Sequence, residues 1–224
     1  MEVLFLTFVF LLGLVIGSFL NVVILRGAKG KTLRGRSCCS VCGHPLSFLE
    51  LVPIASFILQ KGRCRHCGAV LSWQYPLVEL GTAAGFVAGA ALSNGLPTAL
   101  LIFIGISAAI VIFVSDLRFQ LIPDGPVLIL SLLGITAVVL RIWNNPQNLY
   151  AAYYDLGSAA ILAGIIGALW LCSKGKWMGL GDAKLIFPTS LILGFPASLA
   201  AFLFSFWLSG IAGILLMALG QKTL

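Results

Sequence analysis

The stretch VLFLTFVFLLGLVIGSFLNVVIL, residues 3–25, carries no charge and ends on Arg26. A helix of roughly 20 apolar residues crosses a bilayer core of about 30 Å, so this segment is long enough to span one. A secretory signal would place basic residues before a shorter apolar core. Here Glu2 is the only charge ahead of the stretch, Arg26, Lys29, Lys31, Arg34 and Arg36 follow it, and no small-residue cleavage site closes it. The segment is expected to be a retained helix with its N-terminus on the outer side.

Further apolar stretches predict helices near 74–93, 98–115, 126–142, 153–172, a short one at 184–194, and 197–219. The turn signals Asn94-Gly95-Leu96-Pro97, Asn144-Asn145-Pro146 and Gly194-Phe195-Pro196 fall between them as short outer loops. The 224 residues are 60% apolar and 9% charged, against about 45–50% and about 25% in soluble domains, which excludes an ordinary soluble protein. Of the 14 Lys and Arg, this threading leaves only Arg141 outside, so the net charge of +7 reflects topology. Retention of cytoplasmic loops by positive charge accounts for those residues, and no nucleic-acid partner is expected. The expected fold is an all-α polytopic membrane protein of about seven to eight transmembrane helices, with a small cytoplasmic module between the first and second. Its parts are the first helix (1–25), the module (26–73) and a transmembrane domain (74–224). No internal repeat is evident. Gly81, Gly85, Gly89, Gly164, Gly167, Gly210 and Gly213 are expected to let helices approach closely in lipid.

Residues 26–73 hold five of the six cysteines and eight of the 14 basic residues. Within them Cys39-Ser-Val-Cys42-Gly43 and Cys64-Arg-His-Cys67-Gly68 form two CxxC units separated by 21 residues, close to the spacing of a four-thiolate zinc site. A glycine after each second cysteine can take positive φ and turn backbone N–H groups toward the sulfurs. Disulfides are the competing use, but a cytoplasmic loop keeps thiolates reduced and free to bind metal. Four thiolates close the coordination sphere, so a structural zinc that stabilises a segment too small for its own core is expected. Cys38 would break the symmetric spacing, His44 and His66 are not needed as ligands, and Cys172 falls in a span.

Only seven acidic residues exist, and an ionisable group at membrane depth is costly enough to suggest a function. Solvation or local capping accounts for Glu2, Glu50 and Asp155, and the role of Glu79 stays open. Asp116 ends the third span and Asp182 lies in Gly179-Leu-Gly181-Asp182-Ala-Lys184. Hydropathy puts both on the cytoplasmic side. Two carboxylates brought together cannot both ionise easily, and the resulting acid and base could hydrolyse a peptide through water without a nucleophilic Ser or Cys. Alternatively Asp116 pairs with Arg118 or Lys184, and Asp182 caps the next helix. Asp124, before Gly125-Pro126, competes with Asp116 but suits a helix start.

These segments together resemble the type IV prepilin peptidase family. They are Gly17-Ser-Phe-Leu-Asn-Val-Val23, Arg36-Ser37 before the CxxC pair, Leu51-Val-Pro53, Tyr75-Pro76-Leu-Val-Glu79, the run from Asp116 to Ile122-Pro123-Asp124, and Gly179-x-Gly181-Asp182-x-Lys184. The resemblance implies a membrane aspartyl protease with Asp116 and Asp182 as the catalytic pair, supported by Gly179, Gly181, Lys184 and Asp124. It implies prepilin or pseudopilin substrates cut after a Gly at the end of a basic leader, on the cytoplasmic face of a bacterial inner membrane. Many family members also N-methylate the new terminus with S-adenosylmethionine. A membrane scaffold that docks a partner through the zinc module is the alternative from another functional class.

Overall fold

The structure is a computed structural model that describes residues 2–145, 147 and 149–218. Its helices are α1 (Glu2–Gly27), α2 (Ala55–Leu59), α3 (Gln74–Leu92), α4 (Leu96–Phe119), α5 (Asp124–Asn144), α6 (Leu149–Ser173), α7 (Leu180–Leu193) and α8 (Ala197–Ala218), with a 3-10 turn at Phe48–Leu51. Each apolar stretch of the sequence thus forms a helix. Pro146 of the expected turn and the last residue of the expected 197–219 helix lie outside the described residues. Among the described residues six helices are long and apolar enough to cross a membrane, and the chain is a multi-pass membrane protein. At 14 residues, α7 is about 21 Å long, shorter than a hydrocarbon core.

The chain divides into two compact units, one up to Ile129 and one from Leu130 onward. In the first, α1, α3 and α4 pack together. Val9, Phe86, Ala99 and Phe103 form one buried cluster, with the Phe86 and Phe103 rings stacked 4.3 Å apart. Leu20, Ile24, Val78 and Val111 form another. Lipid tails are as apolar as leucine, so helices in a membrane associate by close fit rather than by escape from water. The closest fit is α1 on α3: a Cβ on Gly13 would stand 2.5 Å from Ala83 Cα, and one on Gly17 would stand 2.7 Å from Glu79 Cα.

This corrects the expectation about the glycines. Gly85 and Gly89 do lie against Ile106 and Ile102 of α4, but the Cβ positions of Gly81, Gly164, Gly167, Gly210 and Gly213 point into open space. Close approach falls instead to Gly13, Gly17 and, in the second unit, Gly134 against Leu191. Spacing identifies small residues, whereas only the facing helix decides which of them touch.

In the second unit α6, α7 and α8 pack on one another, and Val138, Ala152, Ala159 and Leu191 form the core. One end is locked by charge. Arg141 donates to Asp155 Oδ2 at 2.9 Å, to Leu191 O at 3.0 Å and to Ile192 O, while Asp155 Oδ1 accepts the Phe195 N–H at 2.7 Å. Asp155 is buried, so the boundary solvation expected for it is corrected to a paired role. A buried carboxylate is tolerable because a guanidinium and a backbone N–H satisfy it.

Candidate functional site

Two short hairpins carry the cysteine pairs. In the first, Leu46 N–H donates to Ser37 O (2.8 Å), Cys39 N–H to His44 O (2.9 Å) and Gly43 N–H to Cys39 O (3.0 Å). The second repeats the pattern, with Leu71 to Gly62 (2.8 Å), Cys64 to Ala69 (2.8 Å) and Gly68 to Cys64 (2.9 Å). Every partner is shifted by 25 positions, as Ser37 to Gly62 and Cys39 to Cys64. The module is therefore a structural repeat, of which the sequence shows only Cys-x-x-Cys-Gly and a final Leu. Gly43 and Gly68 have φ of +71° and +70°, the left-handed turn a β-carbon would oppose. His44 and His66 stack on one another with ring centres 4.4 Å apart, which joins the two hairpins.

The four sulfurs of Cys39, Cys42, Cys64 and Cys67 lie within 4.8 Å of one another, and Cys39 Sγ and Cys67 Sγ are 3.9 Å apart. A disulfide would need about 2.05 Å. A tetrahedron with metal–sulfur bonds of about 2.3 Å has edges of about 3.8 Å, so this cluster fits a metal ion of the soft class that thiolates select. Cys38 and both histidines stay outside the cluster. Backbone N–H groups of Cys42 and Val41 hold the Cys39 thiol down to about 7. At Cys67 the Ala69 N–H acts downward, but burial and the three neighbouring sulfurs outweigh it and push the thiol up to about 11. Four crowded sulfurs cannot all be anionic without a cation among them.

The module is tied to the helices at two points. Arg26, at the end of α1, donates to the carbonyls of Leu33 and Arg34 at 2.8 Å each, Arg36 at 2.9 Å and Gly35 at 3.2 Å, winding the link around one guanidinium. Glu79, buried in α3, accepts the N–H of Ile54 at 2.8 Å. Ile54 has φ of +60°, a costly conformation for a β-branched residue, and Glu79 holds the chain there at the start of α2.

A hydrogen-bonded chain runs across the same end of this unit. Asn21 of α1 is buried and donates to Tyr75 O at 3.2 Å, its Oδ1 accepts from Gln74 Nε2 at 3.2 Å, and Gln74 Oε1 accepts from Arg118 of α4. Asn21 and Gln74 were not singled out by their chemistry in the sequence, although an amide inside a 23-residue apolar run is the signal that could have found Asn21. Arg118 stands two residues after Asp116.

Asp116 is exposed in the last turn of α4, next to buried Ser115. Its carbonyl accepts the Gln120 N–H at 2.9 Å, and Gln120, at φ +51°, ends the helix. Asp124 is exposed as the first residue of α5, the helix-start position expected of it. Asp182 is the third residue of α7, and its Oδ2 accepts the Gly179 N–H at 3.2 Å, so it caps its own helix. Gly181 and exposed Lys184 belong to the same helical segment. Asp116 and Asp124 fall in the first compact unit, Asp182, Gly179, Gly181 and Lys184 in the second.

Residues 11–92 match the Bacterial Peptidase A24 N-terminal domain, and residues 103–214 match the Type IV leader peptidase family. Among similar curated proteins, the prepilin leader peptidase/N-methyltransferase of Bacillus subtilis (strain 168) is 32% identical over 218 residues, covering 96% of this chain and 85% of the relative. The protein of the same name from Klebsiella pneumoniae is 36% identical over 208 residues, with 85% and 86% covered. That from Aeromonas salmonicida (strain A449) is 33% identical over 252 aligned positions, with 96% and 82% covered. No solved structure matches the chain. With a six-span helical body, a four-cysteine module after its first helix, and matches across both parts of its length, the chain belongs to the type IV leader peptidase family.

Proposed function

We propose that this chain is an aspartic endopeptidase of the bacterial inner membrane that removes the leader of type IV prepilins or type II secretion pseudopilins, cutting after a Gly on the cytoplasmic face. Asp116 and Asp182 are its catalytic pair. The observation that carries this reading is that both aspartates fall within the stretch matching the leader peptidase family, residues 103–214, each at a helix end. Two apolar spans, α5 and α6, separate them in the chain, so crossing the bilayer twice returns to one membrane face.

The chemistry follows from charge. When two carboxylates share a site, one keeps its proton while the other ionises. The ionised aspartate takes a proton from water, the resulting hydroxide attacks the scissile carbonyl carbon, and the protonated aspartate donates to the carbonyl oxygen. Collapse of the tetrahedral species breaks the C–N bond as the aspartate that took the water proton gives it to the departing amine and the other aspartate recovers its proton from the hydroxyl that becomes the new carbonyl. Gly179 and Gly181 leave room for an extended peptide beside Asp182, and Lys184 and Asp124 support the site.

Cys39, Cys42, Cys64 and Cys67 would hold a structural zinc, which supplies folding energy to residues 26–73 and offers no open coordination position. In the relatives' name the peptidase is coupled to an N-methyltransferase. Transfer of a methyl group from S-adenosylmethionine, as second substrate, to the freed amino terminus is the corresponding second activity here.

Mass spectrometry of a prepilin incubated with the purified chain and S-adenosylmethionine tests this. Shortening together with the mass of one methyl group supports both activities, and shortening alone supports the peptidase only. An unchanged prepilin would overturn the reading and favour a scaffold whose cysteines matter while its aspartates do not.

A further inference from the structure

A cavity of about 600 Å³ lies where the cysteine module meets the start of α3. Its wall is apolar, formed by Phe57, Ile58 and Val70 of the module with Trp73, Pro76 and Leu80, and the Phe57 and Trp73 rings stand 5.1 Å apart. Lys61 and Arg63 line it as well. Pro76 and Leu80 belong to the first two turns of a helix long and apolar enough to cross the membrane, and the end of such a span belongs where bilayer headgroups give way to acyl chains. Exposed Trp73 is the residue type that favours this level.

The backbone adds a second observation. The residues after α2 form a Schellman turn: Gly62 N–H donates to Phe57 O and Lys61 N–H to Ile58 O, both at 2.9 Å. In that motif the left-handed position usually belongs to glycine, yet here it is Lys61, at φ +51°. A side chain other than glycine is disfavoured at such a φ. The same Lys-Gly turn ends α6 at Lys174 and Gly175, and at α2 it sets Lys61 against the apolar cavity.

We propose that this cavity is a binding site for one anionic phospholipid of the surrounding bilayer, its acyl chain against Phe57, Trp73, Pro76 and Leu80 and its phosphate between Lys61 and Arg63. The volume falls in the range of formed ligand sites. Charge selects the occupant: two cations attract an anionic headgroup, and a peptide segment rich in basic residues meets like charge there.

Quenching of Trp73 fluorescence tests the site. The full chain, with its other four tryptophans replaced by phenylalanine, is placed in vesicles containing phosphatidylglycerol and phosphatidylcholine, with bromine on the acyl chains of one lipid or the other. Expected is an enrichment of roughly tenfold or more for the brominated anionic lipid around Trp73, the scale set by two cations near an anionic surface. The double variant Lys61→Gly with Arg63→Gln should abolish the preference while folding normally, because glycine relieves the left-handed position. Equal quenching by both lipids in the parent chain overturns the proposal, as does a preference that survives in the double variant. Shielding of Trp73 by added prepilin, with no dependence on lipid charge, overturns it in favour of a peptide groove. Native mass spectrometry of the otherwise unaltered protein gives an independent readout: one phosphatidylglycerol retained per chain, lost in the double variant. No retained anionic lipid contradicts the site.

Discussion

Glu79 and Ile54 illustrate how one buried carboxylate can hold an unfavourable backbone. The carboxylate satisfies an N–H in a chain bend at φ +60°, and removing it leaves a polar group unpaired. We expect Glu79→Ala to destabilise the protein by about 1–3 kcal/mol, read from thermal unfolding in detergent, and to make the module more sensitive to protease. Glu79→Gln, which keeps an acceptor, should lose less. Glu50 gives a pH dependence. The N–H and Oγ–H of Ser47 both donate to its Oε2 at 2.8 Å and hold its carboxyl below the usual range. A depressed acid contributes stability above its unfolded value, lost as pH falls through the folded value. Protection of the Ser47 amide, corrected for intrinsic exchange, should therefore fall on acidification below the ordinary carboxylate range. In Glu50→Ala that protection should already be low at neutral pH.

Among the elements, α1 and α3 make the tightest contact because glycine lets their backbones meet. Gly13→Ala would force a β-carbon to 2.5 Å from Ala83 Cα, where no flexible side chain can yield. A loss of about 1–3 kcal/mol is expected. Gly81→Ala, with open space at its Cβ position, should unfold at the parent temperature or slightly above it, because alanine favours helix. The long helices were legible in the sequence, since windows of 18 mostly apolar residues with at most two charges leave little choice of structure in lipid. What hydropathy could not reveal is orientation about the helix axis. It therefore could not tell Gly13 from Gly81, or show that buried Asn21 and Gln74 link α1 to α3. The four-cysteine cluster was legible because a metal-binding geometry requires a fixed local spacing. The short α2 was not, because five residues carry no periodicity and its position depends on Glu79, 25 residues away in the chain.

For the molecule as a whole, the six long helices among the described residues provide the membrane body, and four cysteines gather in the long polar insertion after α1. Chelation of the proposed zinc should expose residues 26–73 to protease while the spanning helices keep their far-UV signal, checked by limited digestion and circular dichroism. Asp155 was misjudged in sequence because its partner Arg141 and the backbone N–H of Phe195 come from separate segments. Asp116 and Asp182 stand out in the sequence by membrane cost and by the motifs that carry the family resemblance, and their pairing is the proposal to be tested. The most direct measurement is the cleavage rate of a prepilin by purified Asp116→Asn, Asp182→Asn and Asp124→Asn variants that insert and bind metal like the parent. Loss of either proposed catalytic aspartate should lower cleavage by about 10²-fold or more, while Asp124→Asn, at a supporting position, loses less. Parent-level cleavage by either the Asp116 or the Asp182 variant would contradict the account.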